Sequence, residues 1–272
     1  MSIQEIEQNE KNAVSISEQL EGHLTEKEVS FLSVLPFLKA KGEILEIGSY
    51  KGKSTIIIAR SALAAGHKRI FACDPLTLPS TTDPDCTELE ILPEIFRKNL
   101  SNFEVANIVK FEQLQSSELS EKWNLPIKVL WIDGDHTYSG ALNDLQAFNR
   151  FLQPGAIVAL HDVLHKFEGP IKVFVEKILS SEKYGDCGLC GSIGWAQFVG
   201  DLSITDYQRK QKISLKRKLS RLIPHIIRLN NGLKSSNLPY NLYRKLVPHG
   251  KISPSNWIFE RNKFEGQEHT SF

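Results

Sequence analysis

Two short stretches group acids with histidines at the ends of apolar runs. Asp133-Gly134-Asp135-His136-Thr137-Tyr138 closes the apolar run that begins at Ile127, and His161-Asp162-Val163 closes the run from Ala156 to Leu160. If these runs are neighbouring strands about 4.8 Å apart, Asp133 and Asp162 stand close enough to share one cation or one substrate hydroxyl. Oxygen ligands suit hard cations such as Mg²⁺, while an imidazole ligand from His161 would favour Mn, Fe or Zn. His136 stands clear of its strand end in a turn, where it could work as a general base or simply bond a loop carbonyl. His161 has three open roles: third ligand, orienter of the others, or simple partner of a loop carbonyl. Asp135 and Tyr138 read as loop formers, and Asp144, on the following helix, as a support.

A third stretch, Glu46-Ile47-Gly48-Ser49-Tyr50-Lys51-Gly52-Lys53-Ser54, reads as a strand ending in a glycine-bracketed turn that opens a helix. Glycine permits positive φ and close backbone approach, and the first N–H groups of a helix attract a carboxylate or phosphate. The dinucleotide fingerprint G-x-G-x-x-G is not met, and a P-loop would need one more residue between Gly48 and Gly52. A bare turn with no ligand is as open as a binding loop. Asp74 lies 22 residues beyond Gly52, where an acid can accept hydrogen bonds from both ribose hydroxyls. Its alternative is a turn residue before Pro75. Cys187 and Cys190 have zinc-like spacing but no second pair, and strand positions three apart point to opposite faces, so no zinc site is expected.

Such residues need a scaffold that brings strand ends to one edge. β-branched runs alternate with amphipathic ones from Glu43 to about Val199, the pattern of a parallel sheet with crossover helices. Strands are expected at 43–48, 69–73, 108–113, 127–133 and 156–160, the last announced by a Pro154-Gly155 turn. Helices are expected at 54–65, 89–100, 139–151 and 170–180. A closing hairpin turning near Gly191-Ser192 makes seven strands. Thr25 to Glu28 fits a capping box for a first helix that Pro36 should kink or end. The division is a helical lead-in over 1–40, an α/β doubly wound domain over 41–200, and an extension over 201–272. The polar, proline-bearing loop 75–87 reads as a flap.

The 272 residues sum to a formal charge of +1, which conceals a split. Residues 207–251 hold twelve Lys or Arg and no Asp or Glu, leaving 21 basic against 32 acidic groups elsewhere. Such asymmetry marks an acidic body with a segment that meets a polyanion, a membrane surface or an acidic subunit. Leu215, Leu219, Leu222 and Ile223 beside Lys216, Arg217, Lys218 and Arg221 describe a basic amphipathic helix. It could lie on an anionic membrane, track nucleic acid, or pack on the body as a lid or homo-oligomer arm. No run approaches the ~18 apolar residues of a membrane span, and the acidic start does not resemble a signal peptide. Four cysteines are too few to staple this chain, so thiols and a cytoplasmic location, with peripheral membrane contact as one variant, are expected.

Taken together, these loops resemble the class I S-adenosylmethionine-dependent methyltransferases, in particular their small-molecule O-methyltransferase branch. EIGSYKGKST is similar to the family's first motif. VLWIDGDHTYSGALNDLQAFNRFLQPGAIVALHDV is similar to the branch's D-G-D-H-x-Y to H-D-V stretch, and EGHLTEKEVSFL to its helical lead-in. The likeness covers about 21–200 and implies a mostly parallel sheet of order 3-2-1-4-5-7-6 with an antiparallel last hairpin. It implies S-adenosyl-L-methionine as cofactor, with Glu46, Gly48, Ser49, Tyr50, Gly52, Ser54 and Asp133 around its methionine side, Asp74 on the ribose and Ser116 near adenine. Gln115 stands where the family usually has an acid. Asp133 and Asp162 match metal positions of divalent-ion-dependent members, and His161 replaces an oxygen ligand there.

The activity this implies is O-methylation of a small-molecule or glycan hydroxyl, with His136 and His161 as the catalytic histidines and Mg²⁺ or another divalent cation as a conceivable aid. Two other functions stand beside it. A nucleic-acid methyltransferase recruited by the basic segment is disfavoured because the Asn-Pro-Pro-Tyr-like motif is lacking. A non-catalytic scaffold that keeps the cofactor fold would not bind S-adenosylmethionine.

Overall fold

The computed structural model describes residues 2–76, 91–230 and 238–264; all but the first two residues of the 75–87 flap lie outside them. Seven strands form one sheet, β1 (Glu43–Ile47), β2 (Ile70–Cys73), β3 (Val109–Glu112), β4 (Ile127–Ile132), β5 (Leu152–Leu160), β6 (Tyr184–Cys190) and β7 (Ile193–Phe198). Their spatial order is β3-β2-β1-β4-β5-β7-β6. β7 runs antiparallel to β5 and β6, and the remaining pairs are parallel. β4 is buried at all six positions because helices cover both faces of a central parallel strand, which is why IKVLWI shows no alternation.

Register matters more to function than strand order. Ile47 pairs with Cys73 on one side and with Ile132 on the other, and Ile132 pairs with Leu160. The next residue of each strand is therefore Asp74, Gly48, Asp133 and His161, side by side along one edge. In parallel strands this edge is the carboxyl end, where open α/β sheets bind ligands.

One face of the sheet is packed by α1 (Ile3–Ser17), α2 (Glu26–Val34), α3 (Lys53–Ala64), α4 (Leu92–Asn102) and α11 (Pro254–Asn262). The other is packed by α5 (Ser116–Lys122), α6 (Tyr138–Asn149), α7 (Glu168–Val173), α8 (Asp206–Ser220), and α9 (Ile223–Asn230) with the chain after α10 (Leu238–Lys245). Lead-in and extension thus share cores with the central domain. Trp257 of α11 stands edge-on to Phe31 at 5.2 Å and to Trp195 at 5.1 Å, and Arg261 pairs with Asp186. Lys212 of α8 donates to the carbonyls of Ser181 and Tyr184. Tyr240 of α10 donates to Leu164 O beyond β5.

Several expectations shift. β5 starts at Leu152 and runs through Pro154-Gly155, opposite a register shift between Ile127 and Val129, so this pair marks an irregularity inside the strand instead of a turn before it. The helix expected over 170–180 is the short α7 followed by a π-helical turn, Phe174–Ile178. Gln115 caps and Ser116 and Ser117 open α5, a helix not expected from the sequence. α2 ends at Val34 and Pro36 lies in a 3₁₀ turn, as expected. Cys73, Cys187 and Cys190 are free thiols that burial holds well above the usual thiol range, to about 12, 12 and 11. Cys86 lies outside the described residues. Among those residues, no helix is long and apolar enough to cross a membrane.

Candidate active site

The turn after β1 is tied to both neighbouring strands. Gly48 has φ +85°, and a Cβ there would lie 2.1 Å from Asp133 O, so only glycine lets the β1 and β4 ends approach this closely. Gly48 N donates to Cys73 O, and the N–H groups of Ser49 and Tyr50 donate to Asp74 Oδ2 at 2.7 and 2.9 Å. Asp74 Oδ1 accepts from Leu76 N. Asp74 is thus the carboxylate that holds the loop, a task beyond the ribose contact expected of it; an ionised carboxylate has about four acceptor positions, so a ligand hydroxyl can still be accepted. Gly52 caps α3, and Ser54 lies buried in its first turn.

Glu46 is fully buried beneath this loop. Its Oε2 accepts from Ser49 Oγ and Thr55 Oγ1, while Oε1 has no hydrogen-bond partner. Burial, with the Asp133 charge adding, pushes the carboxyl up to about 8 against the opposing hydroxyl bonds of Ser54, Thr55 and Ser49. A buried, unpartnered carboxyl oxygen under a glycine turn is what a ligand's ammonium or hydroxyl would complete.

Asp133, His136, His161 and Asp162 converge. His161 Nδ1 lies 3.0 Å from Asp133 Oδ1 and 3.5 Å from Asp162 Oδ1. His136 Nε2 lies 3.2 Å from Asp162 Oδ2 and 3.7 Å from Asp133 Oδ1. The His136 ring stacks on Phe167 with centroids 4.3 Å apart. Asp162 itself sits at φ +57°, a left-handed conformation that aspartate tolerates better than most residues. Burial disfavours charge on Asp133, but His161 and His136 outweigh it and hold the carboxyl down at about 2. His161 is raised well above its usual value for the complementary reason: its desolvation is overcome by Asp133, Glu28 and Asp162. It is therefore a buried imidazolium, suited to orienting carboxylates and poor at taking a further proton.

Glu28 of α2 completes the group from the far side, and sequence reasoning missed it by treating it as a local cap. Its Oε1 accepts from Ser192 N at 2.7 Å and Ser192 Oγ at 2.6 Å; its Oε2 accepts from Thr25 N and faces His161 Nε2 at 3.8 Å. Gly191, at φ +61°, gives it room, since a Cβ there would lie 2.7 Å from Glu28 Oε1. Burial opposes ionisation of Glu28, yet the nearby His161 charge and the bonds from Ser192 and Thr25 lower it to about 2.

Ser116 is directed to Asp144, whose Oδ1 accepts its hydroxyl at 2.5 Å. Asp135 forms the turn, accepting from Thr137 N and Oγ1, and Tyr138 bonds Glu176. Among the described residues, no group of three or more His, Cys, Asp or Glu side chains is arranged to hold a metal ion. The two carboxylates expected to ligate one face imidazoles instead.

Asp144 gives a stability prediction. Burial, reinforced by the charges of Asp135 and Asp74, raises it to about 6 although Ser116 opposes the shift. A raised acid binds its proton more tightly when folded, so the stability it contributes is complete below about pH 4 and is lost as pH rises to about 6. Asp144→Asn should stabilise the protein at pH 7 by about 2 kcal/mol, with the advantage vanishing near pH 4. Urea unfolding at the two pH values checks this; an equal difference at both would remove Asp144 as its source.

Residues 45–163 match the family model of a methyltransferase domain. The fold is also that of solved structures. The O-methyltransferase NovP superposes with a TM-score of 0.55 at 13% identity, over 66% of this chain and 83% of that one. The O-methyltransferase TomG from Streptomyces achromogenes, solved in complex with S-adenosylmethionine, gives 0.51 at 16% identity, over 71% of this chain and 90% of that one.

Proposed function

We propose that this chain is an S-adenosylmethionine-dependent O-methyltransferase acting on a hydroxyl of a small molecule or a glycan, a reading supported by the match of residues 45–163 to a methyltransferase-domain family model. The observation that carries this reading is the pairing of His136 with Asp162 on the edge where Gly48, Asp74 and Asp133 also end their strands. A proton acceptor oriented by a carboxylate beside a cofactor loop is what an alcohol acceptor needs. TomG, with bound S-adenosylmethionine, and NovP are O-methyltransferases of the same fold, which favours oxygen as the acceptor atom.

The residues present fit the cofactor. Glu46 Oε1 lacks a partner in the protein, the turn through Gly48 allows close backbone approach, and Asp74 has acceptor capacity to spare. When bound, S-adenosylmethionine supplies a methyl group made electrophilic by its sulfonium. Glu46 and the 48–52 turn hold the methionine end, and Asp74 the ribose.

The chain must then bring the acceptor oxygen to about 3 to 3.5 Å from that methyl carbon and remove its proton as it attacks. Asp162 Oδ2 lies 3.2 Å from His136 Nε2, so the carboxylate stands where it can orient the ring and balance the charge the imidazole gains as it takes the proton. Phe167 keeps the ring in plane. As the imidazole gains charge, Asp162 and Asp133 stabilise it. His161 is a positioning residue: as an imidazolium bonded to Asp133 and close to Asp162 it keeps Asp133 ionised and both carboxylates aligned.

Two measurements test the reading. S-adenosylmethionine at about a hundred times its Kd should stabilise the protein by about 2.7 kcal/mol; no stabilisation would mean a scaffold. Transfer of labelled methyl should be seen with hydroxylated small molecules or saccharides and not with nucleic acid, and should survive chelation. Activity lost on chelation and restored by Mn²⁺ would place an ion among Asp133, Asp162 and the imidazoles.

A further inference from the structure

The assembled fold leaves one face of the extension predominantly positive, Asp206 at the start of α8 being that helix's one acid and paired with Arg209. α8 spends its apolar side on the body, burying Leu215 and Leu219, with Lys212 bound to backbone carbonyls. At helical spacing, the opposite side presents Lys210, Ile213, Arg217 and Arg221, flanked by Tyr207 and Lys216, all exposed. Tyr207 is 68% and Ile213 57% exposed, high for such residues on a docked helix. Arg209 is neutralised by Glu182 and Asp206, whereas among the described residues Lys210, Lys216, Arg217 and Arg221 make no ion pair. No acid occurs anywhere between 207 and 251 to offset them.

We propose that this outward face of α8 docks on an anionic lipid bilayer. The apolar stripe expected to enter a membrane is already used inside the protein, so the contact is a preformed cationic surface in which Tyr207 and Ile213 add shallow apolar anchorage. Each Lys or Arg close to an anionic leaflet contributes to attraction that fades within a Debye length, and tyrosine is at home at the headgroup level. A single-strand nucleic-acid platform would need several stacking aromatics, and this face has one. A packed protein interface would be depleted in lysine at its centre.

Flotation of the full chain with vesicles decides the matter. At about 50 mM salt, vesicles with about 30% phosphatidylglycerol should carry the protein and pure phosphatidylcholine vesicles should not, and about 300 mM salt should release it. The triple change Lys210→Glu, Arg217→Glu, Arg221→Glu should weaken partitioning by roughly 100-fold with the thermal unfolding temperature kept. Tyr207→Ser with Ile213→Ser should weaken it less. Equal recovery on neutral vesicles, no recovery on anionic ones, an undiminished triple variant, or duplex DNA competing the protein off the vesicles would each overturn the assignment.

Discussion

His136→Gln should lower turnover by roughly 10² to 10⁴-fold, the span that general-base removal commonly costs, with the dissociation constant for S-adenosylmethionine unchanged. Glutamine keeps about the size of the ring and can still meet Asp162, but it cannot take a proton. The separation of effects follows from the layout: the His136 ring lies between Asp162 at 3.2 Å and the Phe167 face, while the loop residues Gly48, Ser49 and Tyr50 are held by Asp74 and β4. Calorimetric titration of cofactor and single-turnover methyl transfer make the two readings. Weakened cofactor binding with normal chemistry in the bound state would remove His136 from the base role. Turnover within a few-fold of normal would do the same and turn attention to the carboxylates.

The strand ends could be read because a parallel sheet writes itself as short apolar runs closed by polar residues or glycine, and β1, β2, β4 and β5 each end in one. Once register is added, four of those endings become neighbours, which no single run could reveal. α1 escaped for a physical reason: its buried stripe is Ile6, Asn9, Ala13 and Ser17, so half the inward positions are polar and hydrophobic periodicity is erased. Asn9 is inward because its Nδ2 donates to Ser33 O and Ser61 Oγ, partners that only the fold supplies. α5 escaped because it buries only Leu119 and Ser120 over seven residues. Pro154-Gly155 misled because local turn chemistry was weighed without the bulged partner at Ile127. Glu28 illustrates the harder limit. Its local role, closing a capping box with Thr25, is legible and real, yet the same carboxylate serves Ser192, 164 residues away.

That double duty makes Glu28→Gln the most disruptive change expected outside the reacting groups. The wild-type carboxylate is 2% exposed and satisfies two Ser192 donors and the Thr25 N–H while facing a buried imidazolium. Glutamine would turn an NH₂ group toward either Ser192 or His161, and both offer donors. A buried cation deprived of one counter-charge typically costs about 3 to 5 kcal/mol; Asp133 and Asp162 still face His161, so the lower end is expected. The pH dependence identifies the cause. Glu28 titrates near 2 when folded, so its stability contribution is present above the ordinary carboxylate value of about 4.3 and is lost as pH falls toward 2. The gap between wild type and variant should therefore be full at pH 7 and shrink between about pH 4 and 3, in denaturant unfolding at each pH. Turnover should fall with KM for the cofactor nearly unchanged, because His161 is bonded to Asp133 and lies close to Asp162, the carboxylate beside His136, and not to the loop that holds the methionine end. A stability loss independent of pH, or a loss confined to cofactor affinity, would show that Glu28 merely fills space between α2 and the β6–β7 turn, and that the Asp133, Asp162 and His136 geometry stands without it.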